Sequence, residues 1–98
     1  MDMADDTVVG GSVTRDGEPV ARIPVRLLDS KGEFVAEVTT DAAGKFRFFA
    51  AEGTWIVRTV VGAELYDRRV EAAGGQVVDV SVGLPPDPTD GPVTKLVG

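Results

Sequence analysis

The feature that most constrains this chain is a turn signal that recurs at short intervals between alternating apolar segments. Turn residues fill positions 16–19, 30–32, 41–44 and 52–53, and each group is followed by a short run in which every second residue is apolar. Because side chains two residues apart lie on the same face of a strand, each run predicts a strand with one buried face. The chain is therefore expected to be all-β.

The number and spacing of these segments predict a seven-stranded antiparallel Greek-key β-sandwich, in which two sheets enclose one core. The predicted strands are 7–14, 23–29, 33–40, 45–50, 54–61, 64–72 and 77–82. The side chains expected to face the core are those of Val9, Gly11, Val13, Ile23, Val25, Leu27, Phe34, Ala36, Val38, Phe46, Phe48, Trp55, Val57, Thr59, Tyr66, Val70, Val78, Val80 and Val82.

Composition divides the 98 residues into three parts. Residues 1–6 carry three aspartates and predict an acidic disordered leader, residues 7–82 are expected to form the sandwich domain, and residues 83–98 are expected to form a tail with four prolines.

The net charge of −6 makes nucleic acid and anionic membranes unexpected partners. Without a long apolar run or a basic and apolar start, the chain is expected to be cytoplasmic.

Two residue types that many enzymes use, cysteine and histidine, are missing. The chain contains no cysteine and no histidine, which removes thiol nucleophiles, Ser–His pairs and the commonest metal ligand. Residues 29–33 and 41–44 hold oxygen atoms in tight loops, as calcium sites do, but Asp and Gly also cap ordinary turns. We therefore expect no catalytic residue, no cofactor and no metal, and expect that the protein is not an enzyme.

An outward apolar stripe interleaved with arginine is the candidate interaction site. Such a stripe is typical of an interface, and its partner would be another protein or a second copy of the chain. The alternative is that Phe49 marks a bulge and lies under a loop, with the other apolar residues scattered singly. The candidate residues are Leu28, Val35, Phe49, Ile56, Arg58 and Val60 on the strands, with Leu96 and Val97 in the tail.

Trp55 is the single tryptophan, and its position allows two interpretations. It shares a predicted face with Val57 and Thr59, which favours a core position with its N–H bonded to a backbone carbonyl. A carbohydrate-binding or adhesive module would instead present it as an exposed aromatic platform.

Several short motifs of the chain can be compared with known domains. They are Gly11-x-Val13, 16–20, 25–30, 34–38, 40–48, Phe46-Arg47-Phe48-Phe49-Ala50-Ala51 and 53–55. In these motifs the chain resembles carboxypeptidase regulatory-like domains, and more specifically the actinobacterial DUF1416 family. This resemblance implies a transthyretin-like (prealbumin-like) sandwich. It also implies an accessory role in sulfur metabolism beside a thiosulfate sulfurtransferase, because genes of some members neighbour those of such enzymes.

These observations predict a non-catalytic interaction or structural domain that acts through an outward sheet face, an edge strand or the C-terminal tail. The alternatives are the accessory role in sulfur metabolism, the carbohydrate-binding or adhesive module, and a scaffold without a natural ligand. An exposed edge strand is a credible site because its unpaired backbone groups accept another strand.

Overall fold

The computed structural model describes residues 7–86, which form eight strands and no helix. The predicted leader 1–6 and residues 87–98, with Leu96 and Val97, lie outside the described residues. No helix within 7–86 has the length and apolar character needed to cross a membrane. The strands are β1 (Thr7–Arg15), β2 (Glu18–Pro19), β3 (Pro24–Asp29), β4 (Phe34–Thr39), β5 (Lys45–Ala50), β6 (Gly53–Val61), β7 (Glu64–Ala72) and β8 (Val77–Leu84).

The strands form two sheets, and the predicted all-β sandwich is confirmed. In sheet A, β1 is the middle strand, with β8 along one side and β5 followed by the short β2 along the other. Sheet B has the order β4–β3–β6–β7. The strand β2 was not expected; it pairs with the end of β1 across a two-residue turn in which both Asp16 and Gly17 have positive φ.

One pair departs from the antiparallel pattern, because β8 runs parallel to β1. The connection after β7 crosses from sheet B to sheet A at the start of β1. There the Thr7 hydroxyl accepts a hydrogen bond from the Gly75 amide at 3.0 Å, and the Val8 amide donates to the Gln76 carbonyl at 3.0 Å. Since β8 begins beside the first residues of β1, the two strands run in the same direction.

The core lies between the sheets and follows the predicted alternation. Val9, Val13, Val25 and Val57 are fully buried, and the rings of Phe46 and Phe48 pack with centroids 6.2 Å apart. Strand β8 extends two residues beyond the predicted end at Val82, and its Leu84 belongs to the core.

Phe34 is the exception, because it is 62% exposed where the sequence predicted burial. The register between β3 and β4 shifts at one point: Leu27 pairs with Ala36 while Leu28 pairs with Phe34, so Val35 is an extra residue. Such a bulge interrupts the alternation of faces, which a uniform two-residue period does not anticipate.

The two loops with a calcium-like pattern are closed by their own aspartates. Asp29 Oδ1 accepts bonds from the Lys31 and Glu33 amides, and Asp41 Oδ1 accepts from the Ala43 and Lys45 amides, all at 2.9 Å. Among residues 7–86 no three His, Cys, Asp or Glu side chains come together in a group that could hold a metal ion.

Candidate association face

The outer surface of sheet A is built from three neighbouring strands whose registers align their side chains in rows. On β1 the outward positions alternate with the buried Val9 and Val13, so Val8, Gly10 and Ser12 face outward. We call the surface formed by these residues and their partners on β5 and β8 the sheet A face. Its rows are Phe49–Val8–Val77, Arg47–Gly10–Asp79 and Lys45–Ser12–Ser81.

The first row is apolar. Phe49 is 70% exposed and Val77 is 71% exposed, on either side of the half-buried Val8. Directly paired residues of neighbouring strands place their Cβ atoms about 5 Å apart, so the three side chains form one continuous patch. Large apolar side chains so exposed and so close together are typical of surfaces that a partner covers.

The second row carries opposite charges that do not meet. Arg47 on β5 and Asp79 on β8 are separated by Gly10, and neither forms an ion pair with another residue of the range 7–86. Two strand spacings separate them by about 9.6 Å, against about 4.8 Å for charges on adjacent strands.

Gly10 also leaves an open groove between these charges. The groove has a volume of about 580 Å³. Its walls carry Val8, Lys45, Arg47, Val77 and Asp79 of the sheet A face, and also Val38 and Thr39 of β4 together with Asp41. A Cβ atom added at Gly10 would lie 2.9 Å from the Phe46 carbonyl oxygen, so the close pairing of β1 and β5 fits glycine at this position.

The outer surface of sheet B, here the sheet B face, also has a charged row, but its charges are paired. Adjacent strands place Glu37 beside Arg26, and Arg58 beside Asp67. The Arg26 Nε to Glu37 Oε1 distance is 2.8 Å, and Arg58 donates to both oxygens of Asp67 at 2.8 and 2.9 Å.

The hydrogen bond between Arg58 and Asp67 shifts both groups toward their charged forms. It raises the pKa of the Arg58 guanidinium and lowers the pKa of the Asp67 carboxyl, and desolvation opposes both changes only in part. This pair is therefore satisfied within its own face.

Apolar residues flank the charged row of the sheet B face. Leu28 points away from the core but is only 3% exposed, and its paired neighbours on this face are Ile56 and Phe34. Ile56 and Val60 are half-buried, whereas Val35 and Leu65 are 49% and 52% exposed.

The predicted interaction residues are thus divided between two surfaces. Phe49 lies on the sheet A face, whereas Leu28, Ile56, Arg58 and Val60 lie on the sheet B face and Val35 occupies the bulge of β4. Phe49 is not at a bulge or under a loop, because β5 pairs with β1 without a register shift. The sequence-based prediction did not include Val8, Val77 and Asp79. The apolar alternation implies that they face outward, but only the pairing of β1 with β8 brings them close to one another.

Trp55 packs against the core as a half-buried residue, and its indole N–H donates to the Ala51 carbonyl at 2.8 Å. The strongly exposed aromatic side chains within 7–86 are those of Phe49 and Phe34. An aromatic platform centred on Trp55 is therefore not what the fold presents.

Two solved structures share the fold at low sequence identity. BcpA, the major pilin subunit of Bacillus cereus, matches with a TM-score of 0.62 and 18% identity over 80% of this chain, which spans only 28% of that protein. The dioxygenase domain of a dioxygenase carbohydrate-binding protein fusion from Streptomyces sp. SirexAA-E matches with a TM-score of 0.64 and 11% identity, over 82% of this chain and 79% of that one. These likenesses concern architecture alone.

A much closer sequence relative comes from Mycobacterium tuberculosis. The uncharacterized protein Rv0814c is 43% identical over 85 residues, which cover 86% of this chain and 85% of that protein. The family model described as "Protein of unknown function (DUF1416)" matches residues 1–84. The chain therefore belongs to the DUF1416 family.

Proposed function

We propose that the protein is a non-catalytic association module that binds a protein partner through the sheet A face. The observation that carries this proposal is the row Phe49–Val8–Val77, in which two side chains about 70% exposed flank a third apolar residue on a regular sheet. Covering a phenylalanine side chain removes roughly 150–250 Å² from water, at about 25 cal/mol per Å² of apolar surface. Covering this row, which is exposed by about 70% at Phe49 and Val77, therefore contributes favourably to association, against the entropic cost of binding.

The chemistry of the chain supports a role in binding. Without histidine or cysteine it lacks the usual bases and nucleophiles, and the shifted pKa values of Arg58 and Asp67 have a structural cause, their mutual hydrogen bond. The net charge of −6 favours a protein surface over nucleic acid as the partner.

The experiment that tests this proposal is site-specific photocrosslinking in the native cell. A benzophenone amino acid replaces Phe49 in one variant and Phe34 in a matched control, because both are exposed phenylalanines but they lie on opposite sheets. We expect a defined protein adduct from position 49 and little or none from position 34.

The outcome that contradicts the proposal is equally clear. If position 49 gives no adduct, or if position 34 gives the stronger one, the sheet A face is not the surface through which the protein associates. Analysis of the adduct by mass spectrometry identifies the partner.

A further inference from the structure

We infer that the partner of the sheet A face is the same face of a second copy, related by a two-fold axis parallel to β1. This inference rests on the proposed function, because it names the occupant of that surface. It comes from the arrangement of side chains across the three strands rather than from any single residue.

The proposed two-fold axis runs between the two facing sheets and parallel to the middle strand β1. It places β1 of one copy over β1 of the other and exchanges the flanking strands, so β5 of one copy lies over β8 of the other. Phe49 then faces Val77 of the second copy, Val8 faces Val8, and the apolar row covers itself. An interface of this kind uses one self-complementary patch twice, as two-fold symmetry requires.

The charges complete the match. The same operation places Arg47 opposite Asp79 of the second copy and Asp79 opposite its Arg47, so two charges that lack partners within residues 7–86 form two intermolecular pairs. An axis perpendicular to the strands would instead place Arg47 over Arg47. Like charges in contact repel each other and oppose association, and the pattern therefore selects the parallel axis.

Gly10 permits the approach. Two sheets packed face to face lie about 10 Å apart, and interdigitated side chains fill that space. The groove of about 580 Å³ at Gly10 provides room for the long arginine and aspartate side chains that cross the interface.

The size of the face indicates a reversible dimer. Three strands at a spacing of about 4.8 Å, over roughly six residues at about 3.4 Å each, give a flat area of only about 300 Å² per copy. Standard interfaces bury about 800 Å² per partner. We therefore expect weak, reversible dimerisation that becomes visible only at high protein concentration, and still weaker association in high salt because the paired charges are screened.

A charge-exchange experiment tests this geometry with the full chain. Arg47→Glu and Asp79→Arg, each alone, place like charges opposite one another, and each should weaken dimerisation by a factor on the order of ten or more in sedimentation equilibrium. An equimolar mixture of the two variants should form a heterodimer, because each introduced charge then faces its opposite. The double variant Arg47→Glu/Asp79→Arg should recover self-association.

Arg69→Glu is the matched control, since Arg69 is exposed on the sheet B face opposite Ile56. It should leave the monomer–dimer equilibrium unchanged. Circular dichroism verifies that every variant retains the fold, so a loss of dimer is not a loss of structure.

The results separate this inference from the proposed function. A wild-type chain that stays monomeric at all concentrations, or single variants whose mixture does not associate, overturns the dimer. If position 49 nevertheless crosslinks to another protein in the cell, the association module stands with a different partner. If both experiments fail, both proposals fail.

Discussion

The two outer faces of the sandwich contain similar residue types, yet they differ in whether those residues find partners in their own sheet. On the sheet B face, Arg58 and Asp67 lie on adjacent strands and form an ion pair with two hydrogen bonds. On the sheet A face, Arg47 and Asp79 lie two strands apart with Gly10 between them. Strand order places the first pair of opposite charges side by side and keeps the second pair apart.

The apolar residues show the same contrast. Leu28 faces outward on sheet B but is almost fully buried, whereas Phe49 and Val77 on sheet A are about 70% exposed. Phe34, Val35 and Leu65 of sheet B are nevertheless 49–62% exposed, so the apolar contrast is confined to Leu28 on one face and Phe49 with Val77 on the other. Charge pairing therefore distinguishes the two faces more clearly than apolar exposure does.

The largest effect should come from Gly11→Ala, which tests whether the β1–β8 contact sets the sheet A face. An added Cβ at Gly11 would collide with the Val80 backbone carbonyl, which a small side-chain movement cannot relieve. We expect a loss of more than about 4 kcal/mol in the free energy of unfolding, measured by urea denaturation.

Gly83→Ala is the control for this prediction, because Gly83 lies on the same strand pair and a Cβ there meets nothing within 4 Å. It should change stability by no more than about 0.5 kcal/mol. Equal effects of the two substitutions would show that the Val80 backbone does not approach Gly11 closely enough to exclude a Cβ atom.

A smaller effect is expected from Leu28→Ala, which tests whether the sheet B face is structural. Removing a buried leucine side chain leaves a cavity and should cost about 2–3 kcal/mol in the free energy of unfolding. The matched change Phe49→Ala should cost less than about 0.5 kcal/mol under conditions in which the protein is monomeric. The reverse order of these two values would contradict the distinction between the faces.

The smallest effect concerns the paired charges and appears as a pH dependence. Because the pKa of Asp67 is lowered in the folded protein, the stabilisation is present above its unfolded pKa of about 4 and is lost as the pH falls through the lower folded value. Asp67→Asn should therefore cost up to about 1 kcal/mol at pH 7 and nothing at strongly acidic pH, by urea denaturation at both pH values.

Asp79→Asn is the counterpart on the sheet A face and removes a carboxylate that has no ion-pair partner within residues 7–86. At pH 7 it should leave monomer stability unchanged within about 0.5 kcal/mol but weaken dimerisation. A larger loss of stability from Asp79→Asn than from Asp67→Asn would contradict the view that Asp67, and not Asp79, is stabilised by a partner within its own sheet.

Much of the fold was predictable because it depends on local signals. The apolar alternation in β1, β3, β5 and β8 placed the buried valines, Leu27 and both core phenylalanines correctly, but it placed Leu28 outward and left Leu84 in the tail, and both are buried. The turn at Gly62 was equally local: Gly62 has φ 61° and Ala63 does not have a positive φ, as a two-residue hairpin with glycine first requires. Periodicity failed at Phe34, because a bulge inserts one residue and leaves no mark in the apolar pattern.

The candidate site was less predictable because it depends on which strands become neighbours. The sequence places Phe49 outward but contains no local signal that Val77 pairs with the same residue, Val8, from the other side. The predicted stripe therefore combined residues of two faces. Pairing between segments about 70 positions apart is a property of the completed topology, which strand patterns alone do not encode.

The parallel pairing of β1 with β8 has a consequence for how the protein is made. Sheet A joins the first and last strands of the sandwich, so it remains incomplete on the ribosome until residue 84 has left the exit tunnel, whereas the β3–β4 and β6–β7 hairpins of sheet B need only local chain. Long-range strand pairing is also slow to form. A polypeptide that ends before β8 thus lacks part of the surface that we propose for self-recognition.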